Sequence, residues 1–458
     1  MSTRRDFFQI ALAALHAEYA SAQTRVTDPL APRASHFAGR AKSVILLYMD
    51  GGVSHVDSFD PKPRLQAEAG QPLPLERPKH VRAVSTSIYP SPFAFQRYGQ
   101  SGAAVSSLFP ETAKCADDLC IIRSMVADHS EHTAANYFMH SGSGLQGRPS
   151  MGAWVTYGLG SVSRNLPGYV VLDNGMIPPG GLDIFGSGFL PASYQASLFR
   201  RGAQPLADLA PREAPARQKA KLDLLREFDG DALSRYGGAG EMQAAIANYD
   251  LAFRMQAAVP ELTDISGESE ATRKLYGLDE AETEEYGRSC LMARRLVERG
   301  VRFVELLSPK QDGEDRWDQH AHLKRGHTRN AKAADKPIAA LLTDLKARGL
   351  LKDTLVVWTG EFGRSPTVQG SGEAVGRDHH PYGFSMWMAG AGVKAGLTFG
   401  ATDEYGYYAI ENRVHVHDLH ATILHLLGLE HTRLTYPFSG REMRLTDVHG
   451  RVVREVLG

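Results

Sequence analysis

One uninterrupted apolar run near the start of the chain constrains the fold more than any other feature. Residues 44–49 read Val-Ile-Leu-Leu-Tyr-Met, and the run ends abruptly at Asp50, Gly51 and Gly52. A run without polar alternation is typical of a strand buried on both faces of a parallel sheet, and the glycines allow a sharp turn where it emerges. Ligands collect at the carboxyl edge of such sheets, so Asp50 is a candidate metal ligand, although capping of the following turn is an equally simple explanation.

Similar apolar runs recur along the chain, with helical patterns between them. Runs of strand-like length and content occupy residues 120–126, 169–172, 303–307, 355–358 and 385–388. A helix from about Ala334 to a cap at Gly349 is indicated by apolar residues at a helical period. This alternation predicts an α/β fold with a mostly parallel sheet flanked by helices on both faces. One such domain would span residues 40–458.

Residues 204–300 depart from this alternation. They are charge-rich and helical in pattern, with no convincing strand. We interpret them as a helical insertion or cap over one edge of the sheet. Their charged side chains are most simply a solvated face.

Composition excludes several classes of partner. Of 458 residues, 43% are hydrophobic and 22% charged, as in ordinary globular proteins. The net charge of -1 argues against a nucleic-acid partner, and no apolar run is long enough to span a bilayer. Three cysteines are too few for a disulfide framework. The oligomeric state is unknown from sequence.

The amino terminus has the features of an export signal. Residues 3–8 resemble a twin-arginine motif built on Arg4 and Arg5, residues 10–15 form a short apolar core, and residues 20–22 are a small-residue cleavage pattern. An ordinary amphipathic helix is the alternative, because His16 and Glu18 interrupt the apolar stretch. We therefore predict a signal over residues 1–22 and a protein exported to the periplasm or cell envelope.

Carboxylates and imidazoles gather after four of the predicted strands. Asp50 follows the first, and the other groups occupy residues 128–133, 312–322 and 360–380. Hard carboxylates mixed with imidazoles suit a divalent metal site, and the absence of cysteine there argues against structural zinc. Each group has a simpler explanation, such as a surface histidine or a local ion pair. Their joint placement after successive strands favours a functional site.

Five motifs together resemble the alkaline phosphatase and sulfatase superfamily, and more closely its exported branch known as domain of unknown function 1501. They are Met49–Asp57, Trp317–His320, Gly360–Arg364, Gly376–His379 and Val416–Leu424. The resemblance extends from about residue 40 to the end of the chain. It implies the superfamily fold and a metal-dependent hydrolase of phosphate or sulfate esters, acting on a small-molecule or polysaccharide substrate.

The resemblance also implies metal ligands. Asp50 matches the first metal-binding Asp of the superfamily, after the first core strand. Asp318 with His320, or as a weaker alternative His322, matches the Asp/His pair of one metal, and His379 matches its further histidine. The implied cofactor is one or two divalent ions, which can be zinc, manganese or calcium.

The chain departs from the superfamily pattern at two positions. Glu361 falls where relatives place the Asp of an Asp-His pair, so the resemblance implies that Glu361 and Asp50 hold one metal and that Asp318, His320 and His379 hold the other. The residue after Glu361 is Phe362, which cannot bind metal. Relatives carry a nucleophilic hydroxyl or modified Cys nine residues before a small hydroxyl residue. Counting back from Ser141 reaches His132, with Thr133 beside it. The implied nucleophile is therefore Thr133, His132 or metal-bound water, and His132 can instead replace the lost ligand.

Two arginines complete the implied site. Arg364 or Arg377 is expected to steady the negative charge that develops on the ester oxygens. The two departures also motivate an alternative from another class: the fold and its metal remain but hydrolysis is lost. The protein would then bind or assemble exported partners or polysaccharide.

Overall fold

The computed structural model describes residues 28–76, 78, 85–202, 205–207, 209–236 and 240–458. Its strands are β1 (Ser43–Tyr48), β2 (Phe95–Tyr98), β3 (Ala103–Ser106), β4 (Leu119–Val126), β5 (Tyr169–Leu172), β6 (Ser197–Phe199), β7 (Phe303–Leu307), β8 (Thr354–Thr359), β9 (Gly363–Arg364), β10 (His379–His380), β11 (Phe384–Ala389), β12 (Thr398–Phe399), β13 (Ala401–Thr402), β14 (Ala409–Glu411), β15 (Val414–His415), β16 (Tyr436–Phe438) and β17 (Arg441–Met443). Its helices are α1 (Pro63–Ala67), α2 (His132–Ser141), α3 (Met151–Leu159), α4 (Pro215–Tyr236), α5 (Gly240–Thr263), α6 (Glu270–Leu275), α7 (Glu284–Glu298), α8 (Leu323–Ala347) and α9 (Val416–Leu426). The predicted export signal lies outside the described residues.

A nine-stranded mixed sheet forms the centre of the fold. Eight strands follow the order β12-β4-β11-β8-β1-β7-β5-β6, and β15 pairs with β4. All pairings are parallel except those of β11, which runs antiparallel to both β4 and β8. The predicted α/β class, with a mostly parallel sheet flanked by helices, is confirmed.

The apolar run at the start of the chain forms β1, between β7 and β8. Val44 lies opposite Phe303 on one side and Leu355 on the other. All six residues of β1 are buried, and burial of each aliphatic side chain contributes about 1.5–3 kcal/mol. The Met49 N–H donates to the carbonyl of Thr359 at 2.8 Å, so the ladder continues to the residue before Asp50. Asp50 therefore leaves the sheet at its carboxyl edge, as predicted.

The helix predicted from Ala334 begins earlier, at Leu323, and ends at Ala347 before Gly349. Its first turns bury the polar side chains of His327 and Asn330, which interrupt the apolar period on which the prediction relied. Gly349 has a φ of 71°, the left-handed conformation that commonly follows a helix.

The stretch between β6 and β7 contains four helices, α4 to α7, and no strand among its described residues. The last of them, α7, packs on β7 and α8 and fully buries Leu291 and Leu296, so it belongs to the layer that covers the sheet. The interpretation of residues 204–300 as an insertion or cap stays a prediction. No helix in the described parts of the chain is long and apolar enough to cross a membrane.

Candidate metal centre

Four connections at the carboxyl edge of the sheet carry the predicted site residues. Asp50 follows β1, and Glu361 follows β8. Asp318 lies between β7 and α8, His132 starts α2 after β4, and His379 starts β10. Because β1, β4, β7 and β8 run in the same direction, their carboxyl ends share one edge, which is where ligands bind in open α/β sheets.

The start of α2 decides which side chain faces the site. Glu131 has an extended backbone, and its carboxylate accepts hydrogen bonds from the N–H groups of Thr133 at 3.0 Å and Ala134 at 3.1 Å. A carboxylate cap of this kind begins a helix and complements its dipole. The Thr133 hydroxyl also contacts Glu131. The imidazole of His132, one position earlier, points into the cluster of site residues instead.

His132 is held between two carboxylates. Its Nδ1 lies 2.6 Å from Glu361 Oε1, and its Nε2 lies 3.1 Å from Asp318 Oδ2. Burial on its own would lower the pKa of His132, but its hydrogen bonds to these carboxylates raise the pKa to about 9. Glu361 is fully buried and accepts the N–H of Gly51 at 2.9 and 3.1 Å. Glu361 thus fixes the ring of His132 by its Nδ1 and leaves Nε2 directed at Asp318.

Asp318 is the centre of the cluster. Its Oδ1 lies 2.9 Å from His320 Nε2 and 3.2 Å from His379 Nε2, and it accepts a hydrogen bond from Arg364. Burial opposes ionisation, but the hydrogen bonds from the imidazoles and the charge of Arg364 hold the pKa of Asp318 well below its usual range. Asp318 is therefore an ionised, partly accessible carboxylate that contacts all three histidines.

The outer nitrogens of two histidines are tied to protein oxygens. His379 Nδ1–H donates to the carbonyl of Ser130 at 2.7 Å, and His320 Nδ1–H donates to Gln369 Oε1 at 2.6 Å. Each bond would keep the ring proton on Nδ1 of a neutral ring, so that Nε2 would be able to bind a metal in place of its hydrogen bond to Asp318. The two Nε2 atoms lie 2.9 Å apart. Lone pairs that converge with a carboxylate form a donor set for a cation.

The donor set fits a divalent metal. Within the described residues, two groups of three side chains have their ligand atoms within 4.8 Å of one another: His132, Asp318 and His379, and His320, Asp378 and His379. Ligand atoms at about 2.0–2.1 Å from a tetrahedral ion are about 3.3 Å apart. The spacings around Asp318 Oδ1 are close to that value.

Asp50 stands apart from both groups. Its carboxylate is fully buried and forms an ion pair with Arg316 Nε, and apart from that pair neither oxygen has a hydrogen-bond partner among the described residues. Burial raises the pKa of Asp50 to about 8, although the charge of Arg316 opposes this. Asp50 therefore lies next to the cluster and faces an arginine.

The two predicted catalytic arginines are both buried and bind protein atoms. Arg364 donates to Asp318, to the carbonyl of Gly52 at 3.0 Å and to that of Arg377 at 3.1 Å. The guanidinium of Arg377 pairs with Asp57 at 2.7 and 3.2 Å. Both side chains have 0% exposure, so they orient carboxylates from within the protein.

Sequence reasoning missed three contributors. Asp378 lies beside His379 within a recognised motif, and Arg316 directly precedes the Trp317–His320 motif. Their positions next to these motifs could have identified both as site residues. Gln369 had no signal, because its contact with His320 depends on how the loop between β9 and β10 folds. Phe362, which cannot bind metal, packs its ring 5.0 Å from that of His132 and walls the cluster.

Gly51→Ala is expected to lower both stability and metal affinity. Gly51 has a φ of 107°, and a Cβ there would lie 2.6 Å from Trp317 N and 2.8 Å from Asp318 N. The substitution must displace the backbone that carries Asp318, so we expect an affinity loss of about 10-fold besides backbone strain of about 1–3 kcal/mol.

Gly70→Ala is the matched control. Gly70 also has a positive φ, 79°, but a Cβ there meets no atom within 4 Å. Urea unfolding and titration with Zn²⁺ measure the two effects. Metal affinities that fall equally in the two variants would contradict the displacement of Asp318.

A separate cavity lies outside the cluster of metal-centre residues. It has a volume of about 1130 Å³ and is lined at the carboxyl ends of β5 and β6 by Leu172 and Phe199, with Met292 of α7 and Arg200. None of the metal-centre residues lines it. The assignment of the centre therefore rests on the side-chain chemistry around Asp318, and not on the size of a cavity.

The solved structures that are similar to this chain include three members of the alkaline phosphatase and sulfatase superfamily. The PsFucS1 sulfatase from Pseudoalteromonas sp. is 14% identical with a TM-score of 0.33, covering 84% of this chain and 68% of that one. The alkaline phosphatase from the Antarctic bacterium TAB5 is 13% identical with a TM-score of 0.32, covering 84% and 98%. The lipoteichoic acid synthase LtaP from Listeria monocytogenes is 10% identical with a TM-score of 0.32, covering 92% and 79%. At these scores no activity is transferred to this chain.

No curated protein matches the sequence. The profile of the family described as "Protein of unknown function (DUF1501)" matches residues 41–457. That match covers nearly all of the described chain and includes the motifs that carry the metal centre. The protein therefore belongs to the DUF1501 family, as its motifs predicted.

Proposed function

We propose that this protein is a metal-dependent hydrolase of phosphate or sulfate esters. The observation that carries the proposal is the convergence of His132, Asp318 and His379 on one point at the carboxyl edge of the sheet. His320 joins them through Asp318. The motif resemblance to phosphatases and sulfatases supports ester hydrolysis as the chemistry.

The donor set narrows the choice of metal. Imidazole and carboxylate ligands suit zinc or manganese, whereas calcium prefers an all-oxygen shell. A divalent ion held here supplies Lewis acidity toward the ester oxygens. Glu361 keeps the ring of His132 in place through Nδ1, and Arg364 does the same for Asp318.

Water is the nucleophile that fits the side chains best. His132 is placed as a metal ligand, with its Nδ1 held by Glu361 and its Nε2 directed at Asp318, and the hydroxyl of Thr133 contacts Glu131. Water adds to phosphorus or sulfur, the bond to the ester oxygen breaks, and the alcohol leaves with the proton that water releases. Small-molecule and polysaccharide esters are both candidate substrates.

A screen of ester classes tests this function. Purified protein loaded with Zn²⁺ or Mn²⁺ is assayed on aryl phosphates, phosphodiesters and aryl sulfates, next to Asp318→Asn. We expect turnover of at least one class and a loss of at least about 100-fold in the variant, because Asp318 contacts every histidine of the centre. Asp312→Asn, an exposed position in the same loop, is the control.

The same screen tests the alternative function. The contacts of the Thr133 hydroxyl with Glu131 and of the His132 ring with Glu361 favour a protein that kept the fold and the metal but lost hydrolysis. Stoichiometric metal with no turnover of any ester would support that binding or assembly role. Turnover that Asp318→Asn leaves intact would contradict the metal-dependent mechanism.

We also propose that the protein acts in the periplasm or cell envelope. Support comes from Arg4, Arg5 and the apolar segment after them. Fractionation of cells that express the wild type or the Arg4→Lys/Arg5→Lys variant is the test. Retention of the variant in the cytoplasm is expected, and a cytoplasmic wild type would overturn the proposal.

A further inference from the structure

Arg316 occupies an unusual place for a positive charge beside a metal centre. Its Nε forms the ion pair with Asp50, its Nη2 donates to the carbonyl of Ile177 at 2.5 Å, and its side chain is only 20% exposed. Asp50 is fully buried and its carboxylate has this guanidinium as its ion-pair partner. Arg316 thus contacts the carboxyl group in which the motif resemblance implied a metal ligand.

The backbone places these two residues side by side. Trp317 N–H donates to the carbonyl of Asp50 at 3.2 Å, and the α-carbon of Gly51 is so close to Arg316 that a Cβ on it would lie 2.8 Å from the Cβ of Arg316. The two segments therefore run in contact directly beneath the side chains that form the ion pair. These contacts hold the α-carbon of Arg316 beside Asp50, at the start of the loop that leads to Asp318.

The buried acidic side chains on this side of the centre have protein partners without a second ion. Two buried carboxylates are present, Asp50 and Glu361, and each has its own partner: Arg316 for the first and His132 for the second. An arginine remains charged under all ordinary conditions and cannot become a neutral neighbour of a metal. A divalent ion on Asp50 would have to displace that guanidinium or bear its repulsion at short range.

The convergent donors lie on the other side. Of the described residues, those whose ligand atoms come together are His132, Asp318 and His379, with His320 and Asp378 around the same histidine. Asp50 belongs to neither group. The site therefore has two halves. The half around Asp318 has donor atoms for a metal, and the half around Asp50 contains the guanidinium of Arg316.

We propose that the chain binds one divalent ion, at Asp318, and that Arg316 is the fixed cation on Asp50 in place of a second ion. This inference rests on the proposed metal centre. Arg316 would then determine how many metal ions bind, and Asp50 would pair with Arg316 and would not bind a metal.

Metal stoichiometry tests the inference independently of activity. Metal-free protein is titrated with Zn²⁺ and Mn²⁺ by calorimetry, and bound metal is counted by mass spectrometry for the wild type, Arg316→Met and Arg316→Lys. We expect one equivalent for the wild type and Arg316→Lys, and a second, weaker equivalent for Arg316→Met. Arg325→Met, which removes an exposed arginine paired with Glu314, is the control and should keep one equivalent.

A second variant keeps the test decisive if Arg316→Met does not fold, as judged by circular dichroism. Asp50→Asn should leave one equivalent bound with an affinity within about 3-fold of the wild type, whereas Asp318→Asn should lose it. Two equivalents in the wild type, one of them lost in Asp50→Asn, would overturn the inference but preserve the proposed function. One equivalent in a folded Arg316→Met would also overturn it. No metal in the wild type would instead refute the proposed function.

Discussion

Asp318→Asn is expected to lower the affinity of the protein for Zn²⁺ or Mn²⁺ by at least about 100-fold. Changes at groups that only support a metal ligand typically cost 10–100-fold, and Asp318 is itself the carboxylate of the donor set. The substitution keeps the shape of the side chain but removes its negative charge. The buried guanidinium of Arg364 then also loses its carboxylate partner, so we expect lower stability of the metal-free protein.

Two measurements separate these effects. Calorimetric titration gives the metal affinity, and urea unfolding of the metal-free protein gives the stability. Asp312→Asn, on the exposed part of the same loop, should change neither. An Asp318→Asn variant that binds metal within about 3-fold of the wild type would place the ion elsewhere.

His140→Ala is expected to reduce the free energy of unfolding by about 3–5 kcal/mol, the usual cost of removing one partner from a buried ion pair. His140 lies two turns after His132 on α2, and its Nε2–H donates to Glu305 Oε1 at 2.6 Å in the middle of β7. Glu305 is fully buried, and Tyr169 donates to its other oxygen at 2.7 Å. Without His140 the Glu305 carboxylate is a buried charge with one hydroxyl donor.

The double variant His140→Leu/Glu305→Gln is the matched control. It removes both charges, and the amide oxygen of Gln can still accept the Tyr169 hydroxyl. Because no unpaired charge remains, its loss of stability in urea unfolding should be smaller than that of His140→Ala. A double variant that is as unstable as the single one would show that packing, and not charge, sets the cost.

The pH dependence of the same pair has a definite sign. Burial on its own would lower the pKa of His140, but the charge and hydrogen bond of Glu305 outweigh it, and the net pKa is raised above 6.5. The stability that the pair contributes is therefore complete below about pH 6.5 and is lost as the pH rises through the raised pKa. His132, with a pKa of about 9, acts in the same direction. The difference between the wild type and the double variant measures the contribution of the His140–Glu305 pair, and it should shrink as the pH rises from 6.5.

The strands were predictable because burial on both faces leaves a direct trace in the sequence. The run from Val44 to Tyr48 can be read as a central strand from its apolar residues alone, and parallel strands place their carboxyl ends together. The direction of β11 was not predictable. A doubly buried strand has the same composition whether it runs parallel or antiparallel to its neighbours.

The location of the site was predictable, but the partners of its side chains were not. Asp318 and His379 could be placed at one edge from strand order, whereas Gln369 reaches His320 only through the path of a loop. The sequence could not show whether His132 or Thr133 faces the site, because the two differ by one position in the helix. The structure shows that Glu131 caps the helix and so determines which of them faces the site. The pairing of Arg316 with Asp50 was also not predictable, because the sequence shows that an arginine lies beside a motif but not which carboxylate it contacts.

The antiparallel direction of β11 has a consequence for how the centre can change. β8 brings the chain to the carboxyl edge and β11 departs from it, so residues 360–383 need no crossover connection. Glu361, Arg364 and His379 all lie on this segment, and pairing of β9 with β10 closes it on itself. This segment, residues 360–383, is a single insertion between two adjacent strands, β8 and β11. Exchange of this segment between family members would replace Glu361, Arg364 and His379 together and would leave the strands of the sheet unchanged.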